Sequence, residues 1–141
     1  MRDHFIFLPV LLQVLTTINA YVRLTLAKSA AVRAGLANES RRGLHDDAWP
    51  DNVIQINNNI RNQFELPVLF YVLVVMLWAL GSAGLFVQAV AWLFALSRVV
   101  HLQIHTGSNS VPRRRRVFTF GVLMVMLLWA AALIELVKSS P

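Results

Sequence analysis

The feature that most limits how this chain can fold is a set of four apolar stretches, each close to the ~20 residues that cross a hydrocarbon core. They run from about Phe5 to Leu26, Ile60 to Leu80, Leu85 to Ile104 and Val117 to Val137. The runs are too long and too unbroken for the period-two alternation of strands. A helix satisfies all of its own backbone groups inside lipid. The fold class that follows is an all-α membrane protein, a four-transmembrane-helix bundle forming one domain over residues 1–141. Composition agrees, with 57% hydrophobic and 14% charged residues, against roughly 45–50% and 25% in soluble domains. A chain this small with so few polar groups cannot cover a water-facing surface, and it is too apolar for disorder. It contains no cysteine, which excludes disulfides, thiolate metal sites and a cysteine nucleophile.

The first stretch resembles a signal peptide in length only. No small-x-small cleavage pattern follows it, because Ile18-Asn19-Ala20 sets a branched residue where a small one is needed. It is read as a retained span, with Pro9 in the early turns where a helix tolerates it. Residues 27–59 form a long polar connection, Gly81-Ser82-Ala83-Gly84 a tight uncharged hairpin, and Thr106 to Arg116 a third connection ending in four arginines. Arg23, Lys28, Arg33, Arg41, Arg42 and Arg61 lie at or between the first two spans, and Arg98 with Arg113 to Arg116 at the third turn. These are 11 of the 13 Lys and Arg in a chain of net charge +6. The positive-inside rule then places both polar loops in the cytoplasm, and both termini and the hairpin outside.

Glu65 is the one acid near a span's inner boundary, where an ionisable group needs a partner or water. Spacings of four and three put Asn58, Asn62 and Glu65 on one helix face, with Arg61 one turn before Glu65. Arg98, His101 and His105 share a face of the third span by the same rule. Counted from the hairpin at 1.5 Å per residue, Glu65 and Arg98 lie at about the same depth, which allows a partnership. Two histidines supply only two metal ligands and no third is evident, so no metal is expected. Gln13, Thr16, Ala20 and Arg23 form a mildly polar stripe suited to a helix–helix interface. Arg113 to Arg116 read as a topology anchor and a patch for anionic membrane lipids. Nucleic acid is not an expected partner, since no soluble basic domain surrounds them. Basic residues and one acid converging at one end of the bundle describe a site for an anionic ligand bearing an amine, and any sulfur nucleophile must come from a cosubstrate.

Tyr21-Val22-Arg23-Leu24-Thr25, Asn62-Gln63-Phe64-Glu65-Leu66-Pro67, Arg98-Val99-Val100-His101 and Pro112-Arg113-Arg114 leading to Gly121 stand in an order that resembles the MAPEG family, membrane-associated proteins in eicosanoid and glutathione metabolism. The resemblance covers nearly the whole chain and is greatest to the bacterial branch and to microsomal glutathione transferases. It implies a homotrimer in a bacterial inner membrane, with glutathione as cosubstrate bound between subunits at the cytoplasmic side and a small apolar substrate arriving from the lipid. Carried over by motif, Arg23, Asn62, Glu65, Arg98 and His101 would contact glutathione, and Arg114, aided by His105, would stabilise its thiolate. Two positions depart from the family pattern. Asn57 and Asn58 stand where the transferases carry an Arg before the Glu, and His105 stands where they carry a Tyr. Arg61, a helical turn away, is the candidate replacement for the missing clamp. The expected function is a glutathione-dependent transferase or peroxidase. The rival is a non-catalytic membrane module whose charged end binds anionic lipid or a protein partner.

Overall fold

The computed structural model describes residues 4–138, and among them the apolar stretches are helical, the second with one break, and no strand occurs. After a 3-10 turn at His4–Ile6, α1 spans Phe7–Arg33, α2 Asp51–Gln63, α3 Leu66–Ala79, α4 Leu85–Thr106 and α5 Val111–Lys138. With α2 and α3 taken as one, four segments are long and apolar enough to cross a membrane. The chain is a multi-pass membrane protein.

The helices outrun the apolar stretches that announce them, because hydropathy marks the lipid-facing part and the backbone coils beyond it. α1 continues past Leu26 to Arg33 through alanines and a lysine, which are strong helix formers. It stops where Gly35 takes a φ of 67°, a left-handed conformation that glycine adopts without strain. The amides of Gly35 and Leu36 then bond back to Val32 and Ala31 at 3.1 and 2.9 Å, the paired capping pattern of a Schellman motif. α5 starts at Val111 rather than Val117, with Pro112 in its first turn, so the four arginines are helical and the preceding loop shortens to Gly107–Ser110. Residues 27–59 are correspondingly not one loop. They hold the end of α1, a 3-10 turn at Asp46–Ala48 and most of α2.

The largest difference from expectation lies in the second span, which is broken at Phe64 and Glu65. Pro67 has no N–H to offer the Gln63 carbonyl and its ring crowds that group. The helix ends at Gln63 and restarts at Leu66, with Glu65 at φ −100° and ψ −96° between them. Asn58, Asn62 and Glu65 therefore do not share one helical face. Arg61 does not pair with Glu65 either; it forms an ion pair with Asp46 of the 3-10 turn.

α4 is the most buried span and packs chiefly against α5, then against α1 and α2. Gly121 of α5 allows close approach, since a Cβ there would stand 3.3 Å from Ser97 Oγ and 3.5 Å from Leu66. The core has two apolar parts. One, toward the hairpin, gathers Phe70, Leu77, Phe94, Val125 and Leu128; the other, toward the polar loops, gathers Ala20, Leu24, Val53, Ile60 and Leu102. Between them the buried faces turn polar, at Gln13 and Thr16 on α1, Gln63 on α2, and Ser97, Arg98 and His101 on α4. The outward faces carry exposed Leu15, Ile18, Val72, Leu93 and Leu123, as contact with lipid requires.

Candidate functional site

On the loop side of the polar layer α2, α4 and α5 enclose a cleft of about 400 Å³, lined among others by Asn58, Asn62, His101, His105, Arg114 and Phe118. This volume lies within the range of small-molecule sites, roughly 300–1,000 Å³. Four of the seven residues expected to form the site meet here. Asn62 comes from the last turn of α2, and its amide donates to the Asn58 carbonyl at 2.9 Å. His101 and His105 come from successive turns of α4, their rings edge to face with centroids 5.4 Å apart. Arg114 projects from the first turns of α5. Its Nη1 donates to Asn109 Oδ1 at 2.7 Å. Asn109 holds a φ of 47° in the short loop before α5, so the loop's sharp turn also aims the arginine.

Arg98 lies behind the cleft, 1% exposed. Its Nη2 donates to the Asn62 carbonyl at 3.2 Å, and its guanidinium carbon sits 5.8 Å from the Phe118 ring centre. Its Nε and Nη1 are buried without a partner, as is Nδ1 of His101. The expected partnership with Glu65 is not a salt bridge. Glu65 is exposed at the helix break and forms no ion pair among the described residues. Arg23 lies apart as well. It spans from α1 to the end of α4, donating to Gln103 Oε1 at 2.9 Å and Thr106 Oγ1 at 2.7 Å. Asn58 faces the cleft, whereas the Asn57 amide turns toward Asp46 at 3.4 Å.

Sequence reasoning missed a buried amide chain that supports this cleft. Gln13 Nε2 donates to Gln63 Oε1 at 2.8 Å, Gln63 Nε2 to Asn59 Oδ1 at 3.1 Å, and Asn59 Nδ2 meets His105 Nδ1 at 3.3 Å. The three bonds run in one sense, so Nδ1 accepts and a neutral His105 carries its proton on Nε2, the nitrogen left to the cleft. The signal was present in Asn59 and Gln63, four apart on the buried side of α2, but a span boundary at Ile60 left Asn59 in the polar connection and Gln63 in the span, so the two were not read as a pair.

The set of donors fits an anionic ligand. Arg114 supplies guanidinium N–H groups, Asn58 and Asn62 supply amides, and His105 supplies a ring N–H, with Phe118 as an apolar wall and the Arg98 guanidinium buried behind them. No curated protein and no solved structure matches the chain. A family model, that of the MAPEG family, matches residues 5–134, a range that takes in every helix of the cleft and the break at Glu65. The chain belongs to the MAPEG family.

Proposed function

We propose that this protein is a glutathione-dependent transferase or peroxidase of a bacterial inner membrane, acting as a homotrimer on small apolar substrates. The observation that carries the reading is Arg98. A guanidinium buried with two unpartnered nitrogens, Nε and Nη1, is costly, and a carboxylate delivered through the adjoining cleft removes that cost. Glutathione offers two carboxylates, an ammonium group and a thiol. Arg98 and Asn62 would hold a carboxylate, and Glu65 would take the ammonium. Glu65 and Arg23 lie outside the cleft of their own protomer, which suits a site completed by a neighbouring subunit. Arg114 is the thiolate stabiliser in this reading. A free thiol has a pKa of ≈ 8.5, and a nearby guanidinium favours its ionised form. His105 donates to the sulfur from Nε2, in place of the family's Tyr hydroxyl. The apolar substrate reaches the sulfur past Phe118 from the lipid side.

Mixing purified protein with glutathione should produce the ultraviolet absorbance of a bound thiolate, together with a saturable rise in thermal stability. Arg114→Ala should lose the thiolate while keeping the trimer in native mass measurement, and Arg116→Ala should keep both. If the wild-type protein shows neither thiolate nor saturable glutathione binding, the rival reading of a non-catalytic membrane module replaces this one.

A further inference from the structure

The outer face of α1 carries two hollows that no part of the proposed reaction uses. One, of about 470 Å³, is formed by Lys28, Arg33 and Arg42 around Trp49, with Ser29 and Val32 as its floor. Lys28 Nζ stands 4.8 Å from the Trp49 ring centre and the Arg42 guanidinium carbon 5.9 Å. Arg42 has an acid partner, Glu39 at 2.8 Å. Lys28 and Arg33 have none among the described residues, so the pocket is left electropositive. The second hollow, of about 320 Å³, is apolar and is lined by Ile18, Tyr21, Val22, Thr25 and Leu26.

The two hollows lie on one stripe of one helix. Ile18, Val22, Thr25, Ser29 and Val32 follow one another at spacings of four, three, four and three, which stacks them on a single face. Their centres are about 13 Å apart along the axis at 1.5 Å per residue. Depth fits a bilayer. Leu8 to Leu26, the exposed apolar length of α1, covers about 27 Å, close to the hydrocarbon thickness. The basic pocket begins within a turn beyond Leu26, at the level of headgroups, and Trp49 is the residue type enriched at that boundary. An electropositive hollow at headgroup depth, in line along one helix face with an apolar groove leading into the membrane, matches the polarity of an acidic amphiphile.

We propose that this face of α1 seats one acidic phospholipid of the surrounding bilayer per protomer. The phosphate lies between Lys28, Arg33 and Arg42, against Trp49, and an acyl chain follows the Ile18–Leu26 groove.

The test is native mass spectrometry of the full chain in mild detergent, titrated with phosphatidylglycerol or with phosphatidylcholine of the same acyl chains. Wild-type protein should retain one phosphatidylglycerol per protomer in preference to phosphatidylcholine. Lys28→Gln with Arg33→Gln should weaken that retention about 30-fold, the worth of two basic side chains at an anionic surface. Thr25→Trp should weaken it by filling the groove without changing charge. Lys138→Gln, which removes a basic residue at the far end of α5, should change nothing. Equal retention of the two lipids overturns the proposal, as does an equal loss on Lys138→Gln, which would make the effect one of net charge. Displacement of phosphatidylglycerol by inorganic phosphate at comparable concentration would mean a simple anion site and would also overturn it. A changed subunit count in Thr25→Trp, whose helical circular dichroism and melting are checked in parallel, would assign this face to subunit packing instead. If Thr25→Trp fails to fold, Val22→Phe fills the same groove more modestly and gives the same reading.

Discussion

Asn109 turns the chain and holds Arg114 with the same side chain. Its φ of 47° lies in the left-handed region where Asn is enriched and most residues are strained. Asn109→Gly should keep the turn and lose only the anchor, lowering thiolate formation with little change in melting temperature. Asn109→Ala should lose both, with a stability cost of about 1 kcal/mol from the left-handed backbone; thermal unfolding and thiolate absorbance measured together separate the two effects. Asn59 acts at one remove. Asn59→Leu leaves Gln63 without an acceptor and His105 without its donor, for a loss of about 1 kcal/mol, typical of buried hydrogen bonds in membrane bundles. Nitrogen NMR of the histidines should show His105 as the Nε2–H tautomer in the wild type and as a mixture in the variant. Asn58 lines the cleft and is one of the two positions, with Asn57, at which the family resemblance implies an Arg in glutathione transferases. Asn58→Arg is expected to tighten glutathione binding about tenfold, the difference between a neutral and a charge-assisted contact, as read by isothermal titration.

At the scale of elements, the helices were legible in the sequence and their ends were not. Apolar length reports where lipid begins and stops, so it found four spans. It could not find the polar last turns of α1 or the arginine-bearing first turns of α5, which lie beyond the hydrocarbon yet stay coiled. Pro67 was visible, but a second span drawn on apolar length from Ile60 ran straight through it, which joined α2 to α3 and put Glu65 on one face with Asn58 and Asn62. The hairpin was read correctly as a tight turn from Gly81 and Gly84, and the two glycines are not equivalent. Gly81 has a φ of 74° and caps α3 through bonds from its own amide and that of Ser82 to Trp78 and Leu77. Gly84 sits at φ −70°. A Cβ at either would meet nothing within 4 Å, so any cost of Gly81→Ala is conformational, about 1 kcal/mol. Gly84→Ala should be close to neutral in the same denaturation series. Of the site, sequence motifs brought Asn62, His101, His105 and Arg114 to one cleft. They did not separate Arg23 and Glu65 from it, because motif spacing along a chain carries no information about which side of α4 a residue reaches.

For the molecule as a whole, the basic asymmetry predicts that both polar loops face the cytoplasm. The absence of cysteine makes this directly testable, with single cysteines at exposed Ser40 and Gly84. An impermeant maleimide applied to intact cells should label the Gly84→Cys protein and spare Ser40→Cys; the reverse pattern would invert the topology. Arg2 and Ser139, which bear on the two termini, lie outside the described residues. The amide chain from Gln13 to His105 has a consequence for how the bundle assembles. Helices inserted one after another and greasy around their circumference have little to stop them sliding, since a shift of one turn trades one aliphatic contact for another. Gln13 meets Gln63 at a single axial offset, and a slip of about 5 Å, one helical turn, strands several amides in hydrocarbon at once. The chain therefore works as a ruler laid across the membrane interior. It is read when the helices dock, and the spacing between the histidines and the arginine of the cleft is inherited from it.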